Sequence, residues 1–156
     1  MDTGLVKQSS FFAPMEASSW NRAARRVEYL LVIYPYGDMH EKLLEEQEQF
    51  LIDYGLSMKA RNRPHITVAA FQAGEQMEET LIRWIQRICR RHASFDITLN
   101  NYSGFPPHTI YLRVQDPQPF RELMQQLRAI DDFIRSSGCP PVNLISRPYL
   151  SGQIAG

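Results

Sequence analysis

The chain has 156 residues, enough for one domain with a sizeable core and too few for a second independent domain. Its 17 Lys and Arg residues balance its 17 Asp and Glu residues, so no net charge draws it toward nucleic acid or a membrane surface. The two cysteines lack metal-ligand spacing, and no segment approaches the ~20 apolar residues of a membrane span. We therefore expect a cytoplasmic protein without a metal or other cofactor.

The first third of the chain predicts a leader, a strand and a helix. Residues 1–26 lack the apolar region of a signal peptide and are expected to form a flexible leader before a single domain, residues 27–156. The aliphatic and aromatic run from Glu28 to Pro35 predicts a buried strand. A capping box at Asp38, followed by apolar residues at helical spacing, predicts a helix that ends near Gly55.

The next segment, "PHITVAAF", predicts a second strand. Alternation places one set of side chains on one side of it and the next set on the other. The first set is His65, Thr67 and Ala69, and the second is Ile66, Val68 and Ala70. A second helix is then predicted from about Glu75 to His92.

The last part of the chain predicts a strand pair, a helix and final strands. The alternation of Phe95, Ile97 and Leu99, and of the apolar residues in "TIYLRV", indicates an antiparallel pair joined by a Gly- and Pro-rich connection. A third helix is predicted from Asp116 to near "SSGCPP", and strands around Leu144 and Tyr149. This order is typical of an α+β protein whose helices cover one face of a largely antiparallel sheet.

Two short segments of the chain resemble each other. "RPHIT" spans Arg63–Thr67 and "RPYLS" spans Arg147–Ser151. Because residues i and i+2 of a strand share a face, each segment presents an aromatic polar side chain beside a hydroxyl. Cleavage of a phosphodiester needs a base and an acid on opposite sides of the phosphorus, with donors that stabilise the phosphoryl oxygens. Two such segments on adjacent strands fit that demand.

These features resemble the 2H phosphoesterase superfamily, which includes 2'-5' RNA ligases and cyclic phosphodiesterases and is marked by two His-x-Thr/Ser motifs. "RPHITV" matches the first motif, and "FDITLNNYSGFPPHTIYLRV" resembles the central strand pair of the family. The resemblance covers residues 28–156 and implies two pseudo-symmetric lobes with helices on the outer faces and a central groove. It also implies that the usual C-terminal strand is missing.

The resemblance implies a role for each motif residue. His65 corresponds to one of the two acid/base histidines, Thr67 to a phosphate ligand and Ser151 to the second hydroxyl. Tyr149 stands where the second histidine is expected. A phenol has an ordinary pKa of ~10 against ~6.5 for imidazole, so it exchanges protons poorly at pH 7. The phenol still donates hydrogen bonds. The two alternatives are therefore a weakened enzyme and a protein that only binds phosphate.

The expected activity is metal-independent cleavage of 2',3'-cyclic or 2'-5' phosphodiesters in RNA or nucleotides. The alternatives are a non-catalytic phosphate- or nucleotide-binding homologue and an interaction scaffold. Arg63 and Arg147 are candidate substrate ligands or solubilising residues, and His108 is a conceivable second acid or base. If Tyr149 lies on an unpaired edge strand, a homodimer through the C-terminal strand is expected.

Overall fold

The computed structural model describes residues 2–8, 25–53, 63–105 and 109–153. The strands are β1 (Asp2–Gln8), β2 (Arg26–Tyr34), β3 (His65–Gly74), β4 (Leu99–Phe105), β5 (Thr109–Val114), β6 (Asn143–Leu144) and β7 (Tyr149–Gln153). The helices are α1 (Asp38–Asp53), α2 (Glu78–Arg91) and α3 (Gln118–Ser136), and a 3-10 turn, Glu75–Met77, precedes α2. This composition confirms the predicted α+β class.

Six strands form one sheet in the order β1-β2-β3-β7-β5-β4, and each neighbouring pair is antiparallel. The short strand β6 pairs with β3 beyond the end of β7. The predicted pair of strands β4 and β5 is confirmed. The predicted edge position of Tyr149 is wrong, because β7 is paired with β3 on one side and β5 on the other. The argument for a homodimer through this strand falls with it.

One face of the sheet is buried under the helices. The alternate residues Val27, Tyr29, Leu31 and Ile33 of β2 point into the core and are at most 7% exposed. The helices place their own apolar stripes against these strands, since residues three and four apart share a helix face. The helical members of the same core cluster include Leu43, Leu81, Ile85, Phe120, Leu127, Ile130 and Ile134. All three helices therefore contribute to one core on one side of the sheet.

A β-bulge in β3 reverses the predicted alternation halfway along that strand. Ala69 pairs with Leu31 and Thr67 with the next β2 residue, Val32, so Val68 is an extra residue on β3. Ile66 and Ala69 consequently both join the core, and both are fully buried. The prediction that Ala69 shares a face with His65 and Thr67 is therefore wrong. Strict alternation assumes an uninterrupted ladder, and the bulge breaks it.

The strand predicted at Phe95 begins later, at Leu99. The Phe95 ring packs edge-on against Phe120 of α3, with 5.2 Å between the ring centroids, so this residue serves the helix interface. The ladder instead continues through the polar run after Leu99, where a register irregularity occurs at Asn101. Asn101 has φ +47°, a left-handed conformation that Asn tolerates better than most residues.

The end of α3 leads the chain back toward the sheet. Gly138, with φ +74°, follows the helix, and its backbone N–H donates to Arg135 O at 2.9 Å. The Asp131 carboxylate accepts a hydrogen bond from the Val142 N–H at 2.8 Å. This bond attaches the segment before β6 to the helix, which fixes where the second motif enters the sheet.

Part of the segment expected to be a leader belongs to the sheet. Asp2–Gln8 form β1, which runs antiparallel to β2 from the pair Asp2 and Tyr34 to the pair Gln8 and Glu28. Gly55 and His108 lie outside the described residues. The division into two lobes around a groove stays a prediction.

Candidate active site

The two related segments lie on adjacent antiparallel strands. His65 pairs with Ser151, and Ile66 pairs with Leu150, across β3 and β7. Ile66 and Leu150 point into the core, being 0% and 4% exposed. Because neighbouring residues of a strand point to opposite faces, His65, Thr67, Tyr149 and Ser151 share the face opposite to the helices. The structure thus brings all four predicted motif residues to one face.

The antiparallel register arranges the two motifs crosswise. The aromatic position of the first motif, His65, lies opposite the hydroxyl position of the second, Ser151. The β3–β7 ladder ends with the next pair, Ile66 and Leu150, so this crosswise contact is established for His65 and Ser151. Thr67 and Tyr149 follow on the same face, where Thr67 pairs with Val32 of β2 and Tyr149 with Arg113 of β5.

His65 is held by both ring nitrogens. Nδ1 lies 2.9 Å from the backbone oxygen of Arg63, and because a carbonyl oxygen only accepts, Nδ1 carries the proton. Nε2 lies 3.4 Å from Ser151 Oγ, which also lies 3.3 Å from the His65 backbone oxygen. The Nδ1 bond leaves the Nε2 lone pair next to Ser151 Oγ and able to accept a proton, as a general base requires.

The side chain of Arg63 lies next to this histidine. Its guanidinium carbon is 4.3 Å from the centre of the Tyr34 ring, within the range of a cation–π contact. The Tyr34 ring also meets His65 edge-on, with 6.1 Å between the ring centroids. Arg63 therefore adds a positive charge and its backbone carbonyl to the surroundings of His65.

Tyr149 has an aromatic neighbour of its own. The centroids of its ring and of the Tyr111 ring on β5 are 4.7 Å apart, and the two ring planes form an angle of 47°. Tyr111 pairs with Ser151, and Arg113 pairs with Tyr149, so both β5 residues share the face of the motifs. The Arg113 guanidinium donates to Ser103 Oγ at 3.2 Å, which fixes it above the β4–β5 pair.

A cavity of about 580 Å³ adjoins Tyr149. Among the described residues that line it, Arg113, Arg121 and Arg147 are basic and none is acidic. We call this space, together with these three residues, the arginine cavity. Guanidinium groups stay charged at all physiological pH values, so the cavity attracts anions.

Arg147 reaches the arginine cavity because the chain leaves the β3 ladder before β7. Leu144 pairs with Ala69, whereas Leu150 pairs with Ile66, so five residues of this segment face only two residues of β3. The Ile145 N–H donates to the oxygen of the bulge residue Val68 at 2.9 Å, which marks where the excursion begins. Residues 145–148 thus form an excursion outside the β3 ladder, and they carry Arg147.

The sequence alone did not identify Tyr111, Arg113 and Arg121 as parts of this region. Tyr111 and Arg113 occupy the positions between the apolar residues of "TIYLRV", which indicates that they face away from the core. Their place beside Tyr149 depends on the pairing of β5 with β7, which alternation does not reveal. Arg121 has no comparable pattern, since it lies on a helix that carries other exposed arginines.

The protein-family model of the 2'-5' RNA ligase superfamily matches residues 39–132, which is more than half of the chain. The chain belongs to the 2'-5' RNA ligase superfamily. The match to this superfamily includes His65 and Thr67 and ends before Tyr149. No curated protein and no solved structure gives a significant match.

Two features of the described residues bear on metal ions and membranes. Within residues 25–53, 63–103 and 111–151, no three His, Cys, Asp or Glu side chains are grouped so that they could hold a metal ion. Across the part of the chain that the structure describes, each helix is too short or too polar to cross a membrane.

Proposed function

We propose that this protein is a phosphoesterase of the 2H type that acts on 2',3'-cyclic or 2'-5' phosphodiesters of RNA or nucleotides. The observation that carries the proposal is the pairing of His65 with Ser151 on the face where Thr67 and Tyr149 also lie. Membership of the 2'-5' RNA ligase superfamily supports the same class of substrate.

In the proposed reaction His65 exchanges the proton. Its Nε2 takes a proton from the attacking oxygen, or returns one to the leaving oxygen, while Nδ1 stays bonded to Arg63 O. The hydroxyls of Thr67 and Ser151 donate to the phosphoryl oxygens, where negative charge grows in the transition state. These steps use only groups of this chain, without a metal ion.

Tyr149 sets the efficiency of the proposed reaction. A phenol in place of the second imidazole donates a hydrogen bond to a phosphoryl oxygen, but it transfers a proton poorly near pH 7. General acid–base catalysis by one group contributes about 10²–10⁴-fold. We therefore expect a slow enzyme, in which Tyr149 binds the phosphate and His65 alone performs proton transfer.

The surroundings of Tyr149 favour one other function. Tyr149, with Tyr111 against its ring and three arginines beside it, suits a protein that binds a nucleotide and does not cleave it. Under this alternative Thr67, Ser151 and the arginines hold the phosphate, and His65 is one more hydrogen-bonding group.

Comparison of two histidine variants tests the proposal. The purified chain is incubated with a nucleoside 2',3'-cyclic phosphate, and ring opening is followed by chromatography. His65→Ala should reduce the rate by about 10²-fold or more. His92→Ala is the matched control, because His92 ends α2 and bonds to Gln126 of α3 on the helical side. The control should keep the full rate.

Two results would reject catalysis. If the chain opens no cyclic phosphate, or if His65→Ala and His92→Ala are equally active, the enzyme proposal fails. Salt-sensitive binding of the nucleotide that persists in His65→Ala would then favour the binding protein.

We place this activity in the cytoplasm, where thiols stay reduced. Cys89 and Cys139 are both free thiols, and burial raises the pKa of Cys89. Neither one therefore favours disulfide chemistry in the resting protein.

A further inference from the structure

The arginine cavity gathers three positive charges from separate parts of the chain. Arg113 comes from β5, Arg121 from the first turn of α3 and Arg147 from the excursion before β7. The volume of about 580 Å³ falls within the range of about 300–1,000 Å³ that small-molecule sites occupy. The space is therefore large enough for a nucleotide fragment and not only for a single ion.

The fold of the described residues gives these charges little neutralisation. Arg113 donates to a neutral hydroxyl, Ser103 Oγ, and among the described residues no carboxylate pairs with any of the three guanidinium groups. Like charges that converge on one cavity repel each other, which disfavours the arrangement unless an anion enters. Guanidinium groups bind phosphate oxygens through two parallel hydrogen bonds, so phosphate is the anion that suits them best.

The arginine cavity is continuous with the motif face through Tyr149. Tyr149 lines the cavity and stands opposite Arg113, and Ser151, two residues further along β7, contacts His65. Residues i and i+2 of a strand lie roughly 6.6 Å apart. This separation is of the order of the distance between neighbouring phosphates on one nucleotide. A ligand with its reacting phosphate at His65 thus brings a neighbouring phosphate to the arginines.

We propose that the arginine cavity binds a second phosphate group of the substrate. The preferred substrates are then nucleotides or oligonucleotides with a phosphate besides the reacting one, and not nucleosides that carry a cyclic phosphate alone. This inference rests on the proposed function, since it assumes that the reacting phosphate lies at His65.

Three ligands test the inference, one with a single phosphate and two with a second phosphate at different positions. They are adenosine 2',3'-cyclic phosphate, the same compound with a 5'-phosphate, and a dinucleotide that ends in the cyclic phosphate. Binding is measured by calorimetry to the full chain with His65→Ala, which prevents turnover. A hydrogen bond to a charged group is typically strong enough for roughly tenfold in affinity. We expect at least one of the two larger ligands to bind roughly tenfold or more tightly than the smallest.

The comparison of the two larger ligands identifies the source of the second phosphate. Preference for the 5'-phosphorylated mononucleotide indicates a terminal phosphate, and preference for the dinucleotide indicates an internucleotide phosphate. Either preference supports the inference.

Variants of the arginines show whether the cavity is responsible. Arg113→Gln, Arg121→Gln and Arg147→Gln should each remove most of the preference, because all three side chains are exposed and line the cavity. Arg90→Gln is the matched control, since Arg90 is an exposed arginine of α2 outside the cavity lining. The control should keep the preference, and melting temperatures should show that each variant is folded.

The possible failures are distinguishable. If the three ligands bind equally, or if Arg90→Gln lowers the preference as much as the cavity variants do, the second phosphate site is refuted while the proposed function stands. If none of the three ligands binds to His65→Ala or to the wild-type chain, the phosphodiester site at His65 is refuted, and the inference falls with it.

Discussion

Tyr149→His is the substitution that tests most directly how the two motifs cooperate. His65 pairs with Ser151, and Thr67 and Tyr149 share the face of this pair, so the introduced imidazole lies on the same face as His65 and the two hydroxyls. If the missing acid limits the reaction, the second imidazole should raise the rate of cyclic phosphate opening by about 10²–10⁴-fold.

The effect of this substitution on stability should be small by comparison. Tyr149→His weakens the ring contact with Tyr111, and such a pair contributes about 0.5–1.5 kcal/mol. Typical domains have unfolding free energies of about 5–15 kcal/mol, so the variant should stay folded. The gain in rate and the loss in stability are therefore measurable on the same sample.

The assay follows ring opening by wild type, Tyr149→His, His65→Ala and the double variant between pH 5 and 9. With two imidazoles the rate should follow a bell-shaped pH profile, because one must be neutral and the other protonated. The double variant should lose the gain. The reasoning is refuted if Tyr149→His is folded, binds the cyclic nucleotide and is no faster than wild type.

Three further outcomes follow from the packing and the hydrogen bonds. Leu127→Ala should lower the unfolding free energy in urea by about 2–5 kcal/mol, because Leu127 is fully buried in the core; a loss below about 1 kcal/mol would contradict this packing. Burial and a 2.5 Å hydrogen bond to Glu46 raise the pKa of Tyr102 to about 12, so the contribution of Tyr102 to stability should be constant below pH 10 and fall as the pH rises to about 12. Tyr102 is 55% exposed, so screening limits this loss to on the order of 1 kcal/mol; Tyr102→Phe should remove this part of the loss and keep the part due to Tyr29, whose pKa burial and Glu78 also raise, and an unchanged pH profile in that variant would exclude Tyr102 as a cause. Thr67→Val keeps the shape and removes the hydroxyl, so it should slow ring opening at least tenfold with an unchanged melting temperature; full activity would show that Thr67 does not bind the phosphate.

The helices were the most predictable part of the fold. The apolar stripe of α3, with Leu127 and Ile130 fully buried, follows helical spacing closely, and the start and end signals lie within the local sequence. The motif strands were also predictable, since both "RPHIT" and "RPYLS" enter strands at their aromatic residue. The spacing of apolar residues and the residues at the ends of each element were therefore sufficient to predict these helices and strands.

Long-range pairing decided the rest. The bulge at Val68 moves Ala69 into the core, and the insertion of β7 between β3 and β5 places Tyr149 inside the sheet. Neither the bulge nor the position of β7 leaves a sign in the hydrophobic pattern of its own segment, so neither could be predicted from that pattern. The arginine cavity escaped prediction for the same reason, because Arg113, Arg121 and Arg147 meet only once β5, α3 and the excursion are assembled.

The excursion at residues 145–148 separates the placement of Arg147 from the strand pairing that positions Ser151 beside His65. β6 and β7 each keep their own register with β3, so the ladder on either side does not depend on how many residues the excursion contains. Insertions or deletions there would shift Arg147 while Ser151 stayed paired with His65 and Tyr149 with Arg113. This segment is thus a natural position at which evolution, or a protein engineer, can alter ligand preference without disturbing the reacting groups.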